Sequence, residues 1–453
     1  MVIGQILEQK NDCSLKIIEM IIKNKVYKQR RKQLAKILGE GIVVIRNSSD
    51  QIRSNDTTFP FRSNSYFHYF SGFPESDAVI VINCKPFKAW IFSKTKDKTK
   101  EVWDGFIYGP NEASKQFLFD QGFDLKHIDD SISDLLAKNS KVYLLQEDLN
   151  LRDLVSKKLN YLSKNKRTDA FLKNEIISLN TIADRMRSIK SVDEIKVIKH
   201  AANISAKAHQ FVMANIHCDK FEYEIEARLR YLFGLHNAKN EAYSSIVASG
   251  KNACTLHYIE NQSKLNKSEL ILIDAGCEYE GYASDITRTF PIGGKFSEPQ
   301  KDLYSVVLEA QKAAIDQVKK NNSFDDPHSA AVKVLAQGLK DLKIVKGSVS
   351  AIIEKEEYKK FYMHRTSHWM GLDVHDVGDY FDHKGQPVKL MNGQILTVEP
   401  GLYIPNDRSV PKIFRNIGIR IEDDVLVHNN NPEVLTSSCP KEIDELESIV
   451  GKG

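Results

Sequence analysis

The stretch LILIDAGCEYEGYASDITRTFP, residues 270–291, contains two apolar runs that flank a short polar turn. The first run ends in Asp274, and the second run carries Asp285. A buried carboxylate is costly unless it is paired or binds a cation. For Asp274 alone, capping of a turn is the simpler interpretation. A second acid in the neighbouring run shifts the balance towards a shared site.

These two runs are predicted to form a β-hairpin that turns at Tyr279-Glu280. In that register Asp274 faces Asp285, with Cβ atoms ~4.5–5.5 Å apart. Two like charges at this distance would destabilise an empty hairpin, whereas a pair of divalent cations would turn their repulsion into attraction. A β-bulge would shift the pairing by one residue, so the register is a hypothesis.

Three further segments offer groups that commonly bind metals. Residues 361–376 contain three histidines, His364, His368 and His375, beside glycine and aromatic residues. An apolar run ends in Glu399, immediately before a Pro-Gly turn. A single histidine or acid of this kind is more often structural, but a cluster favours a site.

The last of these segments is GIRIED, residues 418–423. Strand alternation places Arg420 and Glu422 on the same face. A salt-bridged surface would explain this pair alone. Three apolar strands that each supply one inward acid are better explained by a metal site.

Two Asp, two Glu and one His form a hard, oxygen-rich donor set, which favours Mn²⁺, with Fe²⁺, Co²⁺ and Zn²⁺ as alternatives. Four carboxylates balance the charge of two divalent ions. Such ions would lower the pKa of a water between them and polarise a carbonyl group. The residues therefore predict a dinuclear hydrolase.

Composition excludes several other classes of protein. The chain has 453 residues, 64 Lys+Arg and 60 Asp+Glu, for a net charge of +4, which does not favour a nucleic-acid-binding protein. The sequence has no apolar run of ~18–20 residues, so no membrane association is expected. Six widely spaced cysteines without a C-x-x-C motif favour a reducing compartment. We expect the cytoplasm, with the mitochondrial matrix as the alternative because residues 16–36 are basic and amphipathic.

The chain is predicted to contain two domains after a variable N-terminal extension, residues 1–25. Strands alternating with helices predict an α/β domain at residues 26–178. The capping-box pattern Ser191–Glu194 then begins a new helix. Runs of helices and antiparallel strands predict an α+β catalytic domain at residues 179–453.

Taken together, the motifs resemble those of the bacterial-type aminopeptidase P family, in the pita-bread metallopeptidase superfamily. The resemblance extends from about residue 27 to 445. It rests on the stretch quoted first and on SHWMGLDVHDVG (367–378), LTVEPGLYIP (396–405) and NIGIRIEDDV (416–425). Two segments of the first domain contribute to it, RSNDTTFPFRSNSYFHYFSGFPESDAVIVI (53–82) and WDGFIYGP (103–110).

The resemblance implies specific roles for these residues. Asp285 and Glu422 would bridge two metal ions, and Glu399 would also transfer a proton. The implied metal ligands are Asp274, Asp285, His368, Glu399 and Glu422. The implied catalytic residues are His257, His364, His375, Glu399 and Arg420, and the implied substrate-binding residues are Asp56, Arg187 and Tyr403.

The implied reaction is removal of the first residue from peptides whose second residue is proline. The resemblance also implies a homo-oligomer, either a dimer or a tetramer. Arg365 departs from the family pattern, in which a small residue usually follows the histidine at position 364. This departure affects the expected specificity rather than the reaction class.

Two other functions remain open at this point. A prolidase, which cleaves only Xaa-Pro dipeptides, shares the fold and the ligands. A non-catalytic pita-bread protein that binds peptide or nucleic acid is the alternative from another class. Such proteins lose metal ligands, whereas all five are present here.

Overall fold

The computed structural model describes residues 22–165 and 175–453. The chain forms two compact units, which divide between Arg187 and Ser188. Most of the predicted extension, residues 1–21, lies outside the described residues.

The first unit contains a six-stranded mixed sheet flanked by helices, as the alternating pattern predicts. Its strands are β1 (Ile42–Arg46), β2 (Ile52–Ser54), β3 (Thr57–Thr58), β4 (Val79–Asn83), β5 (Lys88–Ser93), β6 (Gln121–Asp124), β7 (Lys141–Leu144) and β8 (Glu175–Ser178). Its helices are α1 (Asn24–Leu38), α2 (Ser65–Ser71), α3 (Lys98–Asp104), α4 (Gly109–Gln116), α5 (Ile128–Leu136), α6 (Leu149–Asn165) and α7 (Asn180–Ser188), with a 3₁₀ turn at Leu125–His127.

The strand order of this sheet is β6-β5-β4-β1-β7-β8. The central strand β1 is antiparallel to β4 and parallel to β7. Apolar side chains of β1, β4 and β7 pack against α5 and α6 and form one hydrophobic core cluster of the unit. The strands β2 and β3 form a separate hairpin.

The unit boundary falls after residue 187 rather than after the predicted residue 178, because α7 packs with the first unit. The Tyr66 hydroxyl donates to Asp184 at 2.6 Å, and the Tyr69 hydroxyl donates to the Met186 carbonyl at 2.9 Å. Hydrogen bonds between residues so far apart in sequence cannot be predicted from a local sequence pattern.

The second unit combines antiparallel sheets with longer helices. Its helices are α8 (Val192–Asn215), α9 (Glu222–Leu235), α10 (Glu298–Ile315), α11 (Asp326–Asp341), α12 (Val349–Glu354) and α13 (Ile443–Ile449). Short 3₁₀ turns cover Ile216–Cys218, Gly250–Cys254, Glu357–Lys360 and Lys412–Phe414. Its strands are β9 (Asn240–Glu241), β10 (Ile246–Ser249), β11 (Leu270–Asp274), β12 (Cys277–Tyr279), β13 (Tyr282–Ala283), β14 (Thr287–Pro291), β15 (Ile395–Val398), β16 (Gly401–Ile404), β17 (Ile417–Arg420), β18 (Asp423–Leu426) and β19 (Glu433–Val434).

These strands form sheets of order β10-β11-β14, β13-β12-β9, β15-β18-β19 and β16-β17. The predicted capping box at the start of α8 is present, since the Glu194 carboxylate accepts from the Ser191 backbone N–H at 2.8 Å. Two extended segments, residues 282–291 and 417–426, are each interrupted beside a candidate ligand. At these interruptions, Asp285 and Glu422 do not have to follow the alternation of side-chain directions in a regular strand.

The predicted register of the hairpin at 270–291 is wrong. The turn lies at Glu280-Gly281, and Asp274 pairs with Thr287 instead of Asp285. Both turn residues have positive φ, 51° for Glu280 and 82° for Gly281. Two-residue hairpin turns favour this conformation, and glycine adopts it without strain. The turn therefore includes Gly281, which moves every pairing by two positions.

Among the described residues, no helix combines the length and apolar character needed to cross a membrane.

Candidate metal centre

Strand ends and connecting segments of the second unit bring the predicted ligands to one cavity of about 690 Å³. Asp274 ends β11, and Asp285 lies between β13 and β14. Glu399 follows β15, and Glu422 lies between β17 and β18. A β-bridge from Trp369 to Leu396 holds the segment that carries the fifth predicted ligand, His368, beside β15. All five predicted ligands line the cavity.

Asp274 and Asp285 converge through a hydroxyl group rather than by direct pairing. The Tyr243 hydroxyl oxygen lies 2.6 Å from Asp274 Oδ1 and 2.5 Å from Asp285 Oδ1. Burial is the larger cause and the charge of Asp274 the next, and together they raise the pKa of Tyr243 well above its ordinary value. Tyr243 therefore stays a neutral phenol, with one proton to donate to the two carboxylates.

Asp285, His368 and Glu422 form the tightest group of potential ligands. One ligand atom from each lies within 4.8 Å of the other two. The Asp285 Oδ2 atom lies 3.5 Å from His368 Nε2, and Glu399 Oε1 lies 3.7 Å from the same nitrogen. One cation could therefore contact several of these atoms at once.

The backbone fixes which nitrogen of His368 is available. His368 Nδ1 lies 3.0 Å from the Trp369 carbonyl oxygen, which can only accept a hydrogen bond. Nδ1 must therefore carry hydrogen, and Nε2 is the nitrogen left to face the acids. Burial by itself lowers the pKa of His368, but the Asp285 hydrogen bond and the Glu399 charge outweigh it and raise the pKa to about 9.

The two sides of the acid cluster are held by Thr287 and Arg420. The Thr287 hydroxyl donates to Glu422 Oε2 at 2.6 Å and accepts from Arg420 Nε at 3.1 Å. Arg420 Nη2 donates to Asp274 Oδ2 at 2.6 Å. Strand alternation predicts that Arg420 shares a face with Glu422, but the direct ion pair of Arg420 is with Asp274.

A chain of hydrogen bonds runs from Arg420 to His364. Arg420 Nη1 donates to the Tyr403 hydroxyl at 3.0 Å, and His364 Nε2 lies 2.8 Å from the same hydroxyl. His364 Nδ1 lies 2.8 Å from the Arg365 carbonyl and must donate to it, so Nε2 accepts from Tyr403. Burial, and then the charge of Arg420, lower the pKa of His364 to about 3 and keep the ring neutral.

The acid cluster has the electrostatic character of a cation site. Burial raises the pKa of the carboxyl groups of Asp274, Glu399 and Glu422, and repulsion from Asp285 adds to each increase. For Glu399 the pKa rises to about 8. Bound cations would relieve the repulsion and match the oxygen-rich donor set. The residues present therefore fit divalent metal ions.

The loop that carries His257 is held by the buried Glu222. Its carboxylate accepts hydrogen bonds from the Ser249 backbone N–H at 2.7 Å, the Tyr258 hydroxyl at 2.9 Å and the Ser263 N–H at 2.8 Å. His257 itself is exposed and lines the cavity. It is thus an accessible imidazole on a fixed loop.

His375 is also exposed and lines the cavity, with its ring edge-on to that of His368 at 4.4 Å. The next residue, Asp376, accepts from Lys190 Nζ at 3.0 Å, and both side chains are 1% exposed. This buried ion pair fixes the loop beside the predicted metal ligands.

Two predicted substrate-binding residues belong to the first unit. Asp56 is exposed in the turn between β2 and β3. Arg187 is buried, with its guanidinium 4.6 Å from the centre of the Tyr66 ring. The third, Tyr403, is buried in the second unit in the hydrogen-bond chain described above.

Sequence reasoning missed three residues that organise the site, Tyr243, Thr287 and Asp424. Asp424 Oδ2 accepts from the Asp285 backbone N–H at 3.1 Å. No periodicity marks Tyr243. The other two lie within recognised motifs, residues 270–291 and 416–425, and the sequence pattern gave them no separate role.

Two family models match the chain. Residues 196–429 match metallopeptidase family M24, and residues 27–143 match the aminopeptidase P N-terminal domain.

Relatives and solved structures match over nearly the whole chain. The Xaa-Pro aminopeptidase of Haemophilus influenzae is 38% identical over 431 residues, which cover 94% of this chain and 97% of that protein. The structure of Pseudomonas aeruginosa aminopeptidase PepP has a TM-score of 0.91 and 40% identity, and the match covers 95% of this chain and 98% of that one. A zinc-substituted Escherichia coli aminopeptidase P in complex with product has a TM-score of 0.90 and 36% identity, with coverage of 94% and 98%.

Proposed function

The chain belongs to metallopeptidase family M24, in its aminopeptidase P branch, and we propose that it hydrolyses the N-terminal Xaa-Pro bond of peptides and releases the first residue. The predicted fold class, an α/β domain followed by a pita-bread catalytic domain, is confirmed by the near-full-length structural matches. The observation that carries the proposal is the convergence of five potential metal ligands on one cavity.

The proposed metal ligands are Asp274, Asp285, His368, Glu399 and Glu422, which would hold two divalent cations. Mn²⁺ is the proposed native metal because four carboxylates and one imidazole form a hard donor set. When bound, two such cations neutralise the acids, polarise a carbonyl group and lower the pKa of a water. The zinc-substituted relative makes Zn²⁺ the first alternative to test.

Glu399 is the proposed proton carrier. It lines the cavity, and its Oε2 atom lies 3.7 Å from His364 Nδ1. It would take a proton from the attacking water and give it to the proline nitrogen when the C–N bond breaks. General acid–base catalysis of this kind contributes typically 10²–10⁴-fold to a rate.

His257 and His375 are proposed to donate hydrogen bonds to the substrate carbonyl oxygen as negative charge develops on it. Both are exposed on the cavity wall, whereas the neutral His364 is held by Tyr403 and the Arg365 carbonyl. His364 would therefore act as a fixed wall beside the scissile bond. Arg420 would act through Asp274 and Tyr403, whose positions it sets.

The cavity also suits proline chemically. An Xaa-Pro bond has no amide N–H, so a site that binds peptides through this group cannot hold it. Apolar side chains line the cavity and would pack against the pyrrolidine ring. These side chains are Ile246, Leu256, Ile259 and Val374.

The N-terminal ammonium group of the peptide is proposed to bind at Asp274, the acid that also pairs with Arg420. This contact would set the cleavage point one residue from the chain end. Asp56 and Arg187 are proposed to bind substrate as well, on the basis of the family resemblance.

Comparison of Xaa-Pro-Yaa and Xaa-Pro substrates with the metal-loaded enzyme tests the function. We expect release of the first residue from the tripeptide in the presence of Mn²⁺, and loss of turnover after chelation. Cleavage of the dipeptide alone would favour a prolidase. No turnover with Mn²⁺, Co²⁺ or Zn²⁺ would favour a peptide-binding protein.

We also propose a cytoplasmic location and a homo-oligomer. The first proposal is supported by the free thiols of the described cysteines Cys84, Cys254, Cys277 and Cys439, as a reducing compartment maintains them. The second is supported by the family resemblance. Fractionation and sedimentation measurements test the two proposals separately.

A further inference from the structure

An exposed arginine lies on the cavity wall. Two arginines line the cavity, Arg365 and Arg420. Arg420 is buried and donates hydrogen bonds to Asp274, Thr287 and Tyr403. The Arg365 side chain is 56% exposed. Among the cavity-lining residues that the structure describes, Arg365 is therefore the arginine or lysine that a ligand can reach from solvent.

Arg365 is held in place at both ends. Its backbone carbonyl accepts from His364 Nδ1 at 2.8 Å. Its Nη2 atom donates to Asp325, at the start of α11. The anchored side chain loses less conformational entropy on binding a ligand than a free one would. The remaining guanidinium donors match the geometry of a carboxylate.

The orientation of a peptide in this cavity follows from the proposed function, on which the present inference rests. The N-terminal residue must reach the buried acid cluster, because hydrolysis occurs there. The rest of the peptide must leave through the exposed part of the cavity. Arg365 lies on that part, one residue from His364, and therefore beside the segment that follows proline.

We propose that Arg365 is a specificity-determining residue that binds a carboxylate located beyond the proline of the substrate. The carboxylate comes from one of two sources, the C-terminus of a tripeptide or an acidic side chain at the third position. The substrate class is thus Xaa-Pro peptides with a negative charge shortly after proline. Because the site is half exposed and Asp325 already balances part of the charge, the preference is modest, about three- to tenfold.

Two pairs of peptides separate the two sources of the carboxylate. Ala-Pro-Glu-amide against Ala-Pro-Gln-amide tests the acidic side chain, and Ala-Pro-Ala acid against Ala-Pro-Ala-amide tests the C-terminus. The full-length enzyme loaded with Mn²⁺ is compared with Arg365→Gln and Arg365→Lys. Lys359→Gln is the matched control, since it removes one exposed positive charge from a lysine that does not line the cavity.

We expect the native enzyme to favour the carboxylate peptide in at least one pair, mainly through a lower KM. The ratio of kcat/KM values should fall towards one in Arg365→Gln, persist in part in Arg365→Lys, and stay native in Lys359→Gln. Each ratio is taken within one preparation, so a reduced folded fraction cancels. The native preference should also weaken between about 0.05 M and 0.5 M NaCl, since salt screens exposed charges.

The inference is overturned if the native enzyme shows no preference in either pair, or if Arg365→Gln keeps the native ratio. Equal loss in Lys359→Gln would also overturn it, because the effect would then reflect general charge. A native ratio of kcat/KM values that does not change with salt would also overturn the inference, and this test needs no variant. Cleavage of the neutral peptides separates this failure from failure of the proposed function, in which no Xaa-Pro peptide is hydrolysed.

Discussion

Asp285 is the residue on which the contacts of the candidate metal centre converge. Its two carboxylate oxygens lie 2.5 Å from the Tyr243 hydroxyl and 3.5 Å from His368 Nε2. Its backbone N–H donates to Asp424 at 3.1 Å. The backbone contact fixes the position of the residue, so the carboxylate is not needed for that purpose and can bind a metal ion. A change at this side chain should therefore affect metal binding more than folding.

Replacement of Asp285 by Asn tests that separation. We expect Asp285→Asn to lower activity by about 1,000-fold or more, because a bound cation contributes several kcal/mol to transition-state stabilisation. Metal content measured by elemental analysis should fall in parallel, while circular dichroism stays native. Asp302→Asn, at an exposed position of α10, is the control. A fully active Asp285→Asn enzyme would show that the ligand assignment is wrong.

At the scale of secondary-structure elements, the hairpin from β11 to β14 depends on a close backbone approach at Gly276. A Cβ atom added there would lie 1.8 Å from the Ser284 carbonyl oxygen, which belongs to the opposite side of the hairpin. Backbone cannot move aside as a flexible side chain can. The glycine thus allows the two acid-bearing segments to meet.

Gly276→Ala is expected to destabilise the protein by at least about 2 kcal/mol, since the added methyl group must separate the two segments. Urea unfolding measures the free-energy change, and elemental analysis measures the accompanying loss of metal. In Gly234→Ala the new methyl group meets nothing within 4 Å, so stability should be unchanged or slightly higher. Equal stability of the two variants would contradict the close approach.

The packing of α11 against the histidine segment predicts a pH dependence of stability. His328 Nδ1 lies 2.9 Å from the Thr366 hydroxyl, and the Thr366 carbonyl accepts from the Glu399 N–H at 2.8 Å. Burial, and then the charge of Lys359, lower the pKa of His328 from 6.5 to about 4. Below pH 6.5 the unfolded chain binds a proton that the folded chain does not bind until about pH 4.

The stability contribution of the neutral His328 is therefore fully present above pH 6.5 and declines as the pH falls towards 4. Between pH 7.5 and pH 5 it should lower the free energy of unfolding by about 1 to 2 kcal/mol. Urea unfolding at both pH values measures this difference, which His328→Gln should reduce. The exposed His383 offers the control His383→Gln, and an unchanged pH difference in His328→Gln would refute the prediction.

At the scale of the whole molecule, stability and metal binding are linked through the second unit. The five potential ligands are separated by up to 148 positions in sequence, from Asp274 to Glu422, and meet only in the folded state. A ligand that binds the folded state and not the unfolded chain raises the free energy of unfolding. The metal should therefore stabilise the fold as well as support catalysis.

Addition of Mn²⁺ to chelator-treated protein is expected to raise Tm by about 5 to 10 °C when free metal is about 100-fold above Kd. Differential scanning calorimetry measures the shift. Asp285→Asn should show a much smaller shift at the same concentration of metal. If both proteins respond equally, the stabilising metal binds elsewhere.

Particular residues show how far the sequence could be interpreted. Apolar runs ending in Asp274 and Glu399 predicted both the strands and the acids, because that pattern is local. The turn could also have been placed correctly, since Gly281 tolerates the positive φ of a two-residue turn and Tyr279 does not favour it. The contact of Tyr243 with both aspartates left no trace in the sequence, because 31 and 42 positions separate these residues.

The sequence by itself determined which chemical groups are present, where the strands that carry them lie and which family they belong to. Those features depend on short-range patterns and on motifs that survive in the primary structure. Only the tertiary structure decided that Arg420 pairs with Asp274, that Nε2 of His368 faces the acids and that Arg365 is anchored by Asp325. These choices depend on which side chains packing brings together, and a buried polar group takes whichever partner the fold places within hydrogen-bond distance.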